Sequence, residues 1–182
     1  MALTRDPTIL DACCVLTLYG SGHMREVLAL LPGPVYVSEY VAEEEALTVY
    51  DGPPGDIRSE KTDVELEPLL EEEIVEITSL QSDERDSFLQ LAQLLDDGEA
   101  RTLAISASRG WAIGTDDKRA LKVCRQKTDC QSVTTPEFMR HWAESSGPPQ
   151  EKIERVLRDI YARAVYLPGS SHPEYEWWEK NS

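Results

Sequence analysis

The chain has 182 residues, of which 41% are hydrophobic and 29% charged, enough for one domain with an appendage and too few for two full-sized ones. Thirty-four acids against 18 bases give a net charge of −16, which weighs against unspecific attraction to nucleic acid. No apolar run approaches the roughly 18 residues of a membrane span, and the first seven residues lack a basic-then-apolar leader, so a soluble, cytoplasmic protein without membrane partners is expected. The four cysteines, Cys13, Cys14, Cys124 and Cys130, show no metal-binding spacing and read as reduced structural thiols.

In chain order, Thr8-Ile9-Leu10 reads as a short buried strand that stops at Asp11 and passes into a helix. A second helix is expected from His23 to Leu31, ended by Pro32-Gly33-Pro34. Val35-Tyr36-Val37 is a second strand. Ser38 then caps a helix that carries Glu39 in its first turn and extends through Val41, Glu44, Glu45 and Leu47. Residues 51–63, rich in proline, glycine and charge, read as a loop. Val64 to Leu70 is helical, and Ile74 to Ile77 is a third strand. Ser82 or Asp83 caps a helix with Phe88, Leu91, Ala92 and Leu95 on one face. Another helix begins after Gly98, with Ala100, Leu103, Ala104 and Ala107 inward and Gly110 at its end. Trp111 to Thr115 is a fourth strand, ending at Asp116-Asp117, and a basic helix follows from Lys118 to Arg125. Ser132-Val133-Thr134 is a fifth strand, and Thr135-Pro136 opens the next helix. From Pro149 to Tyr166 the apolar stripe Ile153, Val156, Leu157, Ile160, Tyr161 and Ala164 marks an amphipathic helix. The tail holds Tyr175, Trp177 and Trp178, which are expected to pack back on the domain. Strands alternating with helices predict an α/β fold, a three-layer α/β/α sandwich around a mainly parallel sheet. The expected division is a domain over 1–145 and a C-terminal helix with an aromatic tail over 146–182.

Parallel sheets bind ligands beyond the carboxyl ends of their strands. Two strands end at acids there, at Asp11 and at Asp116-Asp117. Glu99 opens a helix directly after a glycine, and Glu44 follows the second strand by six residues. Carboxylates gathered at one edge repel one another, and oxygen-only ligands of this kind suit Mg²⁺ or Mn²⁺. Taken singly, each of these acids is equally well read as a helix cap, a turn or a solvated face.

Four blocks in order resemble the PIN domains, a family of metal-dependent ribonucleases: Ile9-Leu10-Asp11-Ala12, Val37 to Glu44, Leu95 to Ala104 with its Gly98-Glu99-Ala100 start, and Thr115-Asp116-Asp117. The resemblance spans about residues 8 to 140. It implies Asp11, Glu44, Glu99 and Asp117 as the metal-binding, catalytic quartet, with Asp116 as alternative or helper and Glu43 in place of Glu44 if the second block slips by one. It further implies a Mg²⁺- or Mn²⁺-dependent endoribonuclease whose attacking group is water, leaving a 5′-phosphate and a 3′-hydroxyl. His23, His141 and His172 lie outside the four blocks, so no histidine is required. The toxin of a toxin–antitoxin pair is the member of the family that fits, with RNA as substrate, a small antitoxin-like inhibitor protein as partner and a homodimer as one assembly.

Lys118, Arg119, Lys122, Arg125 and Lys127 follow the last block directly. They are expected either to contact RNA phosphates, with Arg101 and Arg109 adding to them, or to form an ion-paired surface. A phosphoryl-transfer receiver domain would carry its acidic pair early, and a haloacid-type phosphatase needs Asp-x-Asp where Asp11-Ala12-Cys13 stands, so both are disfavoured. A non-catalytic PIN-like binding or scaffold module is the alternative. The charge itself is polarised: residues 39–76 hold fourteen acids against Arg58 and Lys61, a net of −12, while the rest of the chain carries only −4.

Overall fold

Apolar triplets short enough to be buried at every position build the centre of the molecule. The computed structural model describes residues 6–51 and 60–182. Strands β1 (Thr8–Leu10), β2 (Val35–Ser38), β5 (Glu76–Thr78), β6 (Ala112–Gly114) and β7 (Ser132–Val133) form one sheet in the order β5-β2-β1-β6-β7. Every neighbouring pair is parallel, with Leu10 opposite Val37 on one side and Gly114 on the other. Among the described residues, ten helices join and flank the strands: α1 (Ala12–Gly20), α2 (Met24–Leu28), α3 (Glu39–Glu43), α4 (Glu67–Glu71), α5 (Arg85–Leu91), α6 (Asp97–Arg109), α7 (Lys118–Lys127), α8 (Thr135–Ser146), α9 (Gln150–Ala164) and α10 (Tyr175–Asn181). The arrangement is the three-layer α/β/α sandwich that alternating strands and helices predict.

The two faces of the sheet have separate cores, because successive strand residues point to opposite sides. Leu10, Val37 and Val133 join Cys14, Leu18, Phe138, Trp142, Val156 and Trp178 on one face, while Ile113 packs with Leu95, Leu103, Val123 and Cys124 from α5 to α7 on the other. The first core crosses the expected division at residues 145 and 146. Ile153, Val156, Leu157 and Ile160 of α9 pack with α1, and Trp178 is only 2% exposed, its ring edge-on to Tyr166 at 5.8 Å. The C-terminal segment shares the interior of the first 145 residues. No helix of the described residues is long and apolar enough to cross a membrane.

Several boundaries differ from the sequence expectation. The stretch 51–63, expected as a loop, contributes to an antiparallel ribbon: β3 (Thr48–Asp51) pairs with β4 (Glu60–Asp63), and residues 52–59 lie outside the described residues. Only Val49 of the eight paired residues is buried, so the ribbon leaves no alternating apolar signature. Helix α3 stops at Glu43 rather than running through Leu47, because Leu47 turns inward and its backbone, with that of Val64, starts the ribbon. Helix α6 starts before Gly98, since Asp96 caps it: its carboxylate accepts from the Glu99 N–H while Glu99 reaches back to the Asp96 N–H.

A candidate acidic site at the carboxyl edge of the sheet

In sheet order the chain moves from β1 outward through β2 and β5, then returns to β6 and β7 on the other side. The crevice where this reversal occurs lies beyond the carboxyl ends of β1 and β6, where doubly wound sheets bind ligands. Asp11 directly follows β1, and Thr115-Asp116-Asp117 follow β6.

Asp11 is 3% exposed. Its Oδ2 accepts from the Thr115 hydroxyl at 3.0 Å and from the Cys13 thiol at 3.3 Å, which fixes the carboxylate across the crevice. Burial pushes its pKa up despite these donors. Asp117 caps α7, its Oδ1 accepting from the N–H groups of Arg119 (2.7 Å) and Ala120 (2.8 Å). Glu99, in the first turn of α6, is raised to about 7 by burial and then by the charges of Asp117, Asp96 and Asp11. Asp11, Asp96 and Asp117 thus lie near enough for their charges to act on Glu99.

The second block supplies a different residue from the one expected. Glu44 and Glu43 are exposed and line a depression of about 410 Å³ with Ser38, Glu39, Tyr40 and Arg101. Glu45 is the acid that turns to the crevice. A Cβ at Gly98 would collide with its carboxylate, so the glycine at the start of α6 is what lets the acid lie against that turn. Burial, then the charges of Asp11 and Asp96, push Glu45 up to about 7. Nothing local to Glu43-Glu44-Glu45 singles it out; the end of α3, set by packing elsewhere in the chain, does. Beyond Glu43 the chain turns toward Leu47, and successive helical side chains point about 100° apart, so neighbouring acids face different ways.

Asp116 is separate from this group. Its carboxylate points into the fold, where Oδ1 accepts from the Thr135 N–H (2.9 Å) and the Tyr166 hydroxyl (3.0 Å) and Oδ2 from the Thr135 hydroxyl (2.5 Å). These bonds tie β6, α8 and the chain after α9 together, which is a structural task. With the sulfurs of Cys13 and Cys14, Asp116 forms the one trio of potential ligand atoms within 4.8 Å of one another among the described residues. Two sulfurs beside a fully hydrogen-bonded carboxylate do not fit a hard divalent cation. The carboxylates of Asp11, Glu45, Asp96, Glu99 and Asp117 offer oxygen alone, and that donor set does fit one. They are spread more widely than that trio.

Of the expected RNA contacts, Lys118, Arg119, Lys122 and Arg125 are exposed on α7, whose inner face is Ala120, Val123 and Cys124. Among the described residues none of the four forms an ion pair with a carboxylate. Arg109, in contrast, is committed within the fold: it donates to Glu84 at 2.6 and 3.0 Å, to Thr78 and to the Ser79 carbonyl. Arg101 is held between the rings of Tyr40 and Phe88 at 4.8 and 4.7 Å. Compared with known proteins, the chain matches no family model and no curated relative.

Proposed function

We propose that this chain is a PIN-type endoribonuclease that hydrolyses RNA phosphodiesters with Mg²⁺ or Mn²⁺. The observation that carries the reading is the meeting of Asp11, Glu45, Asp96, Glu99 and Asp117 at the switch crevice. The charges acting on Glu45 and Glu99 are all carboxylates. Half-buried charges of one sign are unfavourable unless a counter-ion joins them. Asp11, Glu45, Glu99 and Asp117 would hold that ion. When bound, it would polarise a water molecule and offset negative charge on the scissile phosphate. The chain's own part is to fix Asp11 through Thr115 and Cys13, and to hold protons on Glu45 and Glu99 that leave when a cation enters. Lys118, Arg119, Lys122 and Arg125, on the helix that Asp117 caps, would take the flanking RNA phosphates. The narrower form of the reading is a toxin of a toxin–antitoxin pair, held in check by a small basic partner and able to pair with its own copy.

A second reading, a non-catalytic module of the same fold, draws on one observation: Asp96, Glu99 and Asp117 already serve as helix caps. One experiment separates the two. The purified chain is incubated with single-stranded RNA in Mn²⁺, in Mg²⁺ and in chelator, beside Asp11→Asn. Cleavage to 5′-phosphate and 3′-hydroxyl ends, dependent on the ion and lost in a folded Asp11→Asn, is the expected result. Cleavage that survives the substitution places the chemistry away from Asp11, and no cleavage by the parent at millimolar ion favours the second reading.

A further inference from the structure

The amino-terminal end of the sheet, opposite the carboxylates, carries a second feature of chemical interest. Cys124 lies on the inner face of α7 and is fully buried, while Cys130, in the segment between α7 and β7, is partly exposed. Cys130 lines an open depression of about 730 Å³ together with Asp6, Trp111, Lys127, Asp129 and Gln131. Thr128 folds this segment back on the helix end. Its hydroxyl donates to the Cys124 carbonyl at 2.8 Å and accepts from the Cys130 N–H at 3.3 Å. The Cys124 thiol donates to the Cys130 carbonyl at 3.5 Å, which sets its sulfur directly behind the Cys130 backbone. One thiol is thus open to small molecules and the other sits behind it, out of solvent.

We propose that Cys124 and Cys130 are a reversible dithiol–disulfide pair that reacts with low-molecular-weight disulfides of the glutathione class. Cys130 is the attacking residue. It is the more exposed thiol of the two; the neighbouring Cys124 first, then the Ser106 and Thr128 side chains, hold it down to about 6, whereas the Cys124 thiol behind it is pushed up. The Cys130 thiolate attacks one sulfur of the small disulfide, giving a mixed disulfide and one departing thiolate. Cys124 then gives up its proton to that thiolate and attacks the Cys130 sulfur, and the second small thiol leaves. Two protein thiols lose two electrons and two protons, and one small disulfide becomes two thiols. The other pair does not share this arrangement: Cys14 is fully buried, its thiol pushed well up by that burial, and Cys13 and Cys14 are adjacent residues.

The test uses the full chain equilibrated with mixtures of reduced and oxidised glutathione, quenched in acid, alkylated, cut with trypsin and weighed. Trypsin cuts after Lys122, Arg125 and Lys127, so Cys124 and Cys130 fall on separate fragments, 123–125 and 128–140, and Cys13 with Cys14 on 6–25. The expected product joins the first two fragments with the loss of two hydrogens, reverts in excess reduced glutathione and leaves both cysteines of 6–25 alkylated. In Cys124→Ser, glutathione remains on Cys130. In Cys130→Ser, Cys124 remains unmodified in the folded chain. The proposal is overturned if oxidised glutathione in excess yields no joined fragments. It is equally overturned if the mixed disulfide accumulates on Cys130 in the unsubstituted chain, or if Cys124 takes up glutathione as readily without Cys130 as Cys130 does without Cys124.

Discussion

Asp116 and Asp117 are neighbours with opposite assignments, and the difference lies in what faces each carboxylate. Asp116 receives three strong donors from Thr135 and Tyr166, so removing it strands a backbone N–H and two hydroxyls inside the fold. Asp116→Ala is expected to lower stability by about 2–4 kcal/mol in denaturant unfolding, the usual consequence of leaving buried donors without partners. Asp117→Ala loses only the cap of α7, about 1 kcal/mol, yet is expected to remove cation-dependent RNA cleavage. A variant pair with those effects exchanged would assign the site to Asp116. The same contrast separates Glu45 from Glu44. Glu45→Gln is expected to weaken cation binding and cleavage by at least ~10–100-fold, as loss of a coordinating or orienting group does. Glu44→Gln, on the exposed groove, is expected to change neither by more than about twofold, since exposed substitutions away from such features are small. Calorimetric titration with Mn²⁺ reads both.

At the scale of elements, legibility follows burial. The strands β1 and β6 are triplets buried at every position and β2 is four residues with only Tyr36 half-buried, and a carboxylate or an N-cap serine stands at or just beyond the end of each, so the position of Asp11 and Asp117 is readable from the chain. The caps at Ser38 and Gly110 are similarly open to reading, because cap chemistry is local, whereas the caps at Asp96 and Thr134 stand ahead of the helix starts read at Gly98 and Thr135. Glu45 is not readable. Glu43-Glu44-Glu45 presents three equal acids, and the choice among them is made by where α3 ends, which Leu47 and the ribbon decide through non-local packing. The ribbon is hidden for the same reason: its pairing buries little more than Val49 and is set by backbone bonds rather than by an apolar pattern. The tail's place in the core depends on packing of α10 against α8 and α9 and on the edge-on contact of Trp178 with Tyr166. Helix α7 joins the two ends of the functional argument, with Asp117 at its start and exposed cations along its outer face. Replacing Lys118, Arg119, Lys122 and Arg125 by alanine is expected to weaken binding of single-stranded RNA. The slope of log K against log salt should become shallower by about 0.7 for each phosphate that the helix no longer neutralises, as counter-ion release dictates. Weaker binding with an unchanged slope would mean the helix contributes shape and neutralises no phosphates.

At the scale of the whole molecule, the charge of −16 has a thermodynamic consequence that ties the carboxylates to stability. Glu45 and Glu99 titrate near 7 in the folded chain against an ordinary value of 4.5, because burial and neighbouring acids favour their neutral forms. Asp11 is raised in the same sense. A group whose pKa rises on folding binds its proton more tightly in the folded state. Its contribution to stability is therefore complete below about pH 4.5, where both states are protonated, and is lost as pH climbs through 7. Glu84, held down by Arg109, runs the other way only below the ordinary carboxylate range, while Cys130, held down to about 6, runs the other way above 6; a Cys130→Ser background therefore leaves the window from pH 5 to 7.5 to the raised acids. In that background the cation-free protein is accordingly expected to melt at progressively lower temperature across that window. A divalent ion that binds the deprotonated carboxylates stabilises only the folded state, and it competes with protons for the same oxygens. Millimolar Mg²⁺ or Mn²⁺ is therefore expected to raise the melting temperature more at pH 8 than at pH 5. The double variant Glu45→Gln, Glu99→Gln is expected to be more stable than its parent at pH 8 without the ion, to lose most of the pH slope and to gain little from the ion. A metal-induced shift that is the same at both pH values, or a slope that survives the double substitution, would place the coupled protons and the cation elsewhere in the molecule.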